Sequence, residues 1–218
     1  MDRRWRTRRV LKADSLGLFD LYWQMADGSG SAERLLARPG RQYAHAAVPD
    51  GSGIVVTEIP PSGTSDIVLL PLAGDRTPRP ILATEFNERL PAISPDGQWM
   101  TQTSNESGRV EVYVRPFPGP GAKVQISVAG GDQPTWSPSG REIFYRDATK
   151  MVAAAVQLAP TFAVTARTPL FTDVFLKSGT LDYDVLPDGG FVMLRPSAAS
   201  QLMVITNWQS SITKPRAK

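Results

Sequence analysis

Leu90-Pro91-Ala92-Ile93-Ser94-Pro95-Asp96-Gly97 and Gln133-Pro134-Thr135-Trp136-Ser137-Pro138-Ser139-Gly140 are one sequence unit written twice, 43 residues apart. Pro91 corresponds to Pro134, Ser94 to Ser137, Pro95 to Pro138 and Gly97 to Gly140. A run with strand character follows each glycine, Gln98-Trp99-Met100-Thr101-Gln102-Thr103 in one copy and Arg141-Glu142-Ile143-Phe144-Tyr145-Arg146 in the other. Two looser copies flank this pair. Upstream stands Ala46-Ala47-Val48-Pro49-Asp50-Gly51, and downstream Tyr183-Asp184-Val185-Leu186-Pro187-Asp188-Gly189. The four glycines, at 51, 97, 140 and 189, are spaced by 46, 43 and 49 residues. A period of this size sets the architecture, because each unit must bury its faces against the next.

The chemistry of the unit is that of a tight turn. Proline at the first corner fixes φ near the value a type I turn needs. Asp or Ser at the next corner can hydrogen-bond nearby backbone, and glycine then takes a left-handed conformation at little cost. Apolar and β-branched residues lie on both sides, so each copy is read as a hairpin joining two strands.

Strands fill the intervals. Phe19–Met25 and Ala32–Leu36 form a hairpin around Asp27-Gly28-Ser29-Gly30 that lacks its own copy of the unit before it. Asp66–Leu72, Val110–Phe117 and Met151–Leu158 read as third strands, with Val110, Val112 and Val114 expected on one face. Ala153-Ala154-Ala155 gives Met151–Leu158 some helical character, but it is eight residues long without a cap, which favours a strand. Pro80–Leu82, Lys123–Ser127 and Ala166–Phe171 read as outer strands, and Gln201–Trp208 closes the series. The expected fold is all-β: a β-propeller of four-stranded antiparallel blades, with about four to five blades present as a partial or small propeller. An immunoglobulin-like sandwich would not repeat one turn chemistry at this period. The expected units are 16–38 as a half blade, then 41–84, 86–128, 130–175 and 179–208. A disordered basic arm over 1–15 and a disordered tail over 211–218 flank them.

Composition agrees with many short strands. The 218 residues include 18 glycines and 19 prolines, high for a helical protein. There is no cysteine, which excludes disulfides and thiolate chemistry without fixing a compartment. The charge is uneven. Residues 1–12 carry Arg3, Arg4, Arg6, Arg8, Arg9 and Lys12 against Asp2, and the tail carries Lys214, Arg216 and Lys218. The formal net charge is only +3, so the stretch between the ends is acidic. Nucleic-acid binding would need basic residues on a folded face with aromatics between them, so it is not expected. No apolar run approaches the ~18 residues that span a membrane, and no apolar segment of a secretory signal follows the basic N-terminus.

Catalytic motifs are missing. There is no Gly-x-Ser-x-Gly elbow, and no kinase Gly-rich loop, His-Arg-Asp or Asp-Phe-Gly. Gly28-Ser29-Gly30-Ser31 resembles a phosphate loop only in composition; a hairpin turn explains it better. His45 is the only histidine, which excludes most zinc sites. Asp182 and Asp184 flank Tyr183, which would put both carboxylates on one strand face. A solvated edge is the more economical reading of the pair than a hard-cation site. The recurring aromatics Trp99, Tyr113, Trp136, Phe144, Tyr145 and Trp208 are assigned chiefly to packing between blades. No cofactor and no metal are expected, and the chain is read as a non-enzyme.

Asp20-Leu21-Tyr22-Trp23 with Ala26-Asp27-Gly28, and the Ser-Pro-Asp-Gly turn at 94–97, resemble the TolB-type (WD40-like) propeller repeat. The closing Val204-Ile205-Thr206-Asn207-Trp208 resembles the end of propellers attached to bacterial serine/threonine protein kinases. The resemblance covers about residues 16–210 and is specific for fold rather than function. It implies a sensor, scaffold or substrate-gating propeller in a periplasmic or extracytoplasmic setting. Closed propellers of this type usually have six or seven blades, so the chain is expected to be the C-terminal part of a larger protein or a smaller ring. Open blade edges would invite self-association.

The expected role is binding of a protein or peptide, or scaffolding. The alternative is a sensor or gating domain of a kinase or a prolyl-oligopeptidase-type peptidase. Ligand-channel residues are expected at inner-strand starts and turns: His45, Glu88, Arg89, Asp132, Gln133, Asp182 and Asp184.

Overall fold

A computed structural model describes residues 7–13, 19–25, 29–195 and 201–205. The described residues are strands and turns with no helix. The chain divides into two compact units, Met1–Pro91 and Ala92–Lys218.

The first unit holds β1 (Thr7–Ala13), β2 (Phe19–Met25), β3 (Glu33–Leu36), β4 (Arg41–Ala47), β5 (Gly53–Ile59), β6 (Asp66–Pro71) and β7 (Arg79–Leu82) in one seven-stranded sheet. Two pieces make up that sheet. β4 to β7 form a four-stranded antiparallel meander, and β2 pairs antiparallel with both β1 and β3. A single parallel pair, Phe19 opposite Arg41, joins them. Leu21, Leu35, Leu36, Ile54, Val56, Val68 and Leu70 form this unit's core. Ile54, Val56, Val68 and Leu70 keep the period-two spacing that places them on one face.

β1 lies within the segment expected to be a disordered arm. It pairs with β2 over its whole length, from Thr7 opposite Met25 to Ala13 opposite Phe19. The ladder joins main-chain groups, so a basic sequence can still pair where a strand edge offers hydrogen bonds. The rest of the arm, the Asp27-Gly28 corner, Trp208 and the tail lie outside the described residues.

β8 (Arg89–Ile93) carries the chain into the second unit and edges a four-stranded sheet ordered β11-β10-β9-β8, with β9 (Trp99–Ser104), β10 (Glu111–Pro116) and β11 (Val124–Gln125). β12 (Asp132–Trp136), β13 (Glu142–Arg146), β14 (Lys150–Gln157) and β15 (Ala163–Thr172) make the next four-stranded antiparallel sheet. β16 (Tyr183–Val185), β17 (Phe191–Arg195) and β18 (Gln201–Ile205) form a three-stranded one. The segment with three successive alanines is strand β14, as its length predicts.

In the β12–β15 sheet, the central strands β13 and β14 are buried on both faces, while β15 is largely exposed. Ile143 and Tyr145 of β13, with Val152, Ala154 and Val156 of β14, pack with Val112 and Val114 of β10. The alternate residues Phe144, Met151 and Ala153 pack with Tyr183, Phe191 and Met193 of the following sheet. Phe144 meets Phe191 edge-on, ring centroids 5.0 Å apart. Two apolar faces explain why Met151–Val156 reads as a continuous apolar run rather than an alternating one. Trp136, Phe144, Tyr145 and Tyr113 are buried, as their packing role requires. Val110 departs from expectation: it precedes β10 and is exposed, while Val112 and Val114 are buried. The alternation begins only where the ladder does.

Candidate functional site

The repeated turn has one geometry in all four places. The amide of its last residue, a glycine, donates to the carbonyl three residues back: Gly51 to Val48 at 2.8 Å, and Gly97 to Ser94, Gly140 to Ser137 and Gly189 to Leu186 at 2.9 Å each. These glycines have φ of +78°, +73°, +69° and +85°, the left-handed region that a Cβ disfavours. The preceding Asp or Ser accepts the next amide but one: Ser52 N to Asp50, Gln98 N to Asp96, Arg141 N to Ser139 and Gly190 N to Asp188, at 2.8–3.3 Å. The two serine copies add a bond each, since Trp99 N donates to Ser94 Oγ at 2.9 Å and Glu142 N to Ser137 Oγ at 3.1 Å.

The other end of the inner strands also repeats. Leu90 and Gln133, equivalent residues 43 apart, have φ of +52° and +53°, and they are the only non-glycine residues described with positive φ. A left-handed side-chain-bearing residue costs roughly 1–2 kcal/mol, so the surrounding contacts must hold it there.

Around Gln133 those contacts centre on Arg146, whose side chain is 1 % exposed. Its five N–H groups are all used. Nε donates to Asp173 Oδ2 at 2.7 Å and Nη2 to Asp173 Oδ1 at 2.8 Å, a two-point ion pair. Nη2 also reaches the Phe175 carbonyl at 3.2 Å, and Nη1 reaches the Leu176 carbonyl at 2.6 Å and Gln133 Oε1 at 3.1 Å. Gln133 in turn donates from Nε2 to Asp182 Oδ2 at 3.0 Å and accepts from Asp182 N at 3.2 Å. Asp182 takes further hydrogen bonds from Ser178 N at 2.6 Å and Ser178 Oγ at 2.5 Å. The Tyr183 hydroxyl donates to the Gln133 carbonyl at 2.8 Å, and burial pushes its pKa far up.

Burial alone would raise Asp173, but hydrogen bonds from Arg146 and Lys177 outweigh it and hold the carboxyl below its ordinary value. Asp182 behaves likewise, burial being outweighed by the Ser178 hydrogen bonds. Glu111, fully buried in β10, is a third case: burial is offset by hydrogen bonds from Ser127, from Gly130 N at 2.9 Å and from Arg109 Nε at 2.5 Å.

The seven expected site residues thus separate. Gln133 and Asp182 are brought together, both buried and committed to each other and to Arg146. Asp132 is half-buried and accepts from Gln133 N at 2.8 Å. Asp184 is exposed on β16 and accepts from Val185 N at 2.8 Å. Asp182 and Asp184 do not share a strand face, because β16 begins at Tyr183 and Asp182 belongs to the preceding turn. In the first unit, Glu88 is buried and accepts from Thr84 Oγ1 at 2.6 Å, while Arg89 opens β8 and is exposed. His45 is half-buried in the later part of β4, at a bulge between Ala44 and Ala46, rather than at a strand start. No group of three or more His, Cys, Asp or Glu side chains able to hold a metal ion occurs among the described residues.

Short antiparallel meanders, one turn repeated at 43–49 residues and central strands buried on both faces define β-propeller blades. Their fold is like that of TolB propellers. The fold is similar to TolB from Acinetobacter baumannii, with a TM-score of 0.68 and 17% identity over 91% of this chain and 49% of that one. It is also similar to a TolB-like structure from Agrobacterium tumefaciens, with a TM-score of 0.61 and 18% identity over 77% of this chain and 61% of that one. A puromycin-hydrolysing peptidase from Mycobacterium tuberculosis shares the fold too, with a TM-score of 0.64 and 16% identity over 94% of this chain and 43% of that one. The chain therefore spans less than two thirds of each of these structures. Neither a protein-family model nor a curated protein matches the sequence.

The peptidase corrects the reading of the chain as a non-enzyme. The same fold forms part of a hydrolase, so a blade sequence without catalytic motifs does not exclude an enzyme. The match covers under half of that peptidase, and motifs in the remainder would leave no trace in the blades.

Proposed function

We propose that the chain is the propeller portion of a larger protein and that it binds a protein or peptide at the inner-strand starts. The observation that carries this reading is the repeated left-handed kink at Leu90 and Gln133, each next to a charged residue, Arg89 and Asp132. Strain kept at equivalent positions of two blades is characteristic of surfaces held ready for a ligand. In the Ala92–Lys218 unit, the turns at the other strand ends and the Arg146 cluster supply a rigid frame around Gln133. His45 and Glu88 extend the candidate set in the Met1–Pro91 unit and Asp184 in the Ala92–Lys218 unit, where Gln133 and Asp182 are buried and bonded to each other.

A twelve-residue peptide array probed with the purified chain tests the reading. Selected peptides should bind saturably, and Arg89→Ala, Asp132→Ala and Asp184→Ala should weaken them without changing the circular dichroism. Equal binding by all three variants would overturn it.

The second reading, a gating or sensor portion of a peptidase-type chain, is favoured by one fact: the likeness to the M. tuberculosis peptidase covers 94% of this chain. Continuation of the reading frame into a hydrolase domain with a nucleophile elbow would support it. Attachment to a kinase rests on Val204-Ile205-Thr206-Asn207-Trp208 alone.

A further inference from the structure

Three adjacent strands of the Met1–Pro91 unit place polar residues in one row. Gln42 on β4 stands directly opposite Glu58 on β5, and Glu58 directly opposite Asp66 on β6. Directly opposed residues project to the same side of a sheet with Cβ atoms about 5 Å apart. Here they line an open cleft of about 180 Å³ together with Arg38, Pro39 and Pro60. At ~30 Å³ per water, that space holds a side-chain head group rather than a single solvent molecule.

The hydrogen bonding of the row is lopsided. Arg38 Nη1 donates to both oxygens of Glu58, at 3.2 and 3.1 Å. The Gln42 amide donates from Nε2 to the Arg38 carbonyl at 3.0 Å. Gln42 is 1 % exposed, and its Oε1 is buried without a donor. The Asp66 carboxylate has no hydrogen-bonding or ionic partner among the described residues, and burial raises its pKa with no opposing contribution. Two carboxylates face one guanidinium, so the cleft carries one uncompensated negative charge. Its spare capacity, in Asp66 and Gln42 Oε1, consists of acceptors. A buried acceptor without a donor costs roughly 1–3 kcal/mol, and like charges directly opposite on a sheet repel. A cation that donates hydrogen bonds would relieve both costs.

We infer that this cleft is a binding site for the ammonium or guanidinium group of a peptide Lys or Arg side chain, seated against Asp66 with its methylene stem between Pro39 and Pro60. Prolines offer rigid apolar walls without amide donors, and long basic side chains lay their stems along such surfaces while the head stays polar. The cleft takes in residues at the starts of β4 and β6 but none of the residues named for the peptide surface. Its probe is one side chain rather than a selected peptide, so either reading can fail alone.

The test is an amide and carboxyl NMR titration of the whole chain with N-acetyl-lysine methylamide and N-acetyl-arginine methylamide. At least one probe should give saturable shifts at Glu58, Asp66 and the Gln42 side-chain amide. The Asp66 carboxyl should titrate at lower pH when the probe is bound, since a nearby positive charge favours the carboxylate. N-acetyl-norleucine methylamide should give no saturable shift, and Asp66→Asn should weaken binding by about tenfold or more. Butylamine separates sources: weaker binding than the lysine probe supports a peptide side chain, and equal binding overturns that part in favour of a free amine. No saturable shift in the unmodified chain, an equal response to norleucine, or undiminished binding by Asp66→Asn overturns the inference as a whole.

Discussion

Replacing Arg146 by methionine removes the centre of a buried polar cluster in the Ala92–Lys218 unit. The substitution keeps much of the stem's bulk and deletes five donors. Asp173, whose side chain is fully buried, is then left with Lys177 at 3.1 Å as its remaining ion pair. The Phe175 and Leu176 carbonyls and Gln133 Oε1 each lose the bond from Arg146. Breaking a buried pair by deleting one partner costs about 3–5 kcal/mol, largely because a buried charge is left uncompensated. Each orphaned acceptor would add about 1–3 kcal/mol if the site stayed rigid and dry, but such costs are not additive within one network. The expected loss is therefore about 3–5 kcal/mol, read by urea unfolding, with a fall in Tm on the order of 10 °C. The double variant Arg146→Met with Asp173→Leu removes both charges and should be less destabilised than Arg146→Met alone. A loss under about 1 kcal/mol in the single variant, or a double variant as unstable as the sum of the two singles, would refute the account of Arg146 as a buried, fully committed charge.

Four further outcomes follow from the geometry. Asp173 and Asp182 ionise below the ordinary value of 3.8, so the folded state binds fewer protons than the unfolded one there; their contribution is present above pH 3.8 and lost as pH falls below it. Asp173→Asn should flatten that acid loss in a pH series of urea midpoints, and an unchanged slope would count against it. Asp66 has the opposite sign: its raised pKa lowers stability once the group is ionised, so Asp66→Asn should gain about 0.5 kcal/mol at pH 7 and nothing at pH 3. Gly40→Ala would place a Cβ 2.1 Å from the Ile59 carbonyl oxygen at φ +102°, costing about 3 kcal/mol or more by thermal unfolding; a cost below about 1 kcal/mol would contradict that close approach. Ser94→Ala removes a hydroxyl that accepts from Trp99 N, so it should cost about 1 kcal/mol and speed hydrogen exchange of that amide, with no change if the bond does not form.

The turns were legible because their chemistry is local. Pro, Asp or Ser, and Gly within four residues specify a conformation that needs little tertiary help, and four copies made the period visible. Arg146 was not legible. In Glu142-Ile143-Phe144-Tyr145-Arg146 it reads as the polar end of a strand, whereas its acceptors come from 13 to 30 residues away. The one clue was its phase with Phe144, which turns it toward the same packed face. The supposed carboxylate pair failed for a related reason: Asp182 and Asp184 have strand spacing, but spacing implies a shared face only where both residues lie in the strand. The β1 ladder was hidden by its basic residues, which mask a pairing made by the main chain. The acidic row at Gln42, Glu58 and Asp66 depends on the register of three strands, and sequence patterns do not fix register across variable loops.

The reach of Arg146 also separates a blade as drawn from a blade that can stand alone. A chain ending at Thr172 contains every strand from β12 to β15, yet of the four residues that accept from the arginine only Gln133 remains. Asp173, Phe175 and Leu176 come just after the last strand, and Asp182 secures Gln133 nine residues beyond Asp173. During synthesis the guanidinium therefore has to stay hydrated until the linker to the next sheet has emerged. The blade then closes on residues that a boundary drawn at the last strand would assign to its neighbour. Truncations and grafts of this module should be cut after Asp182 rather than after β15.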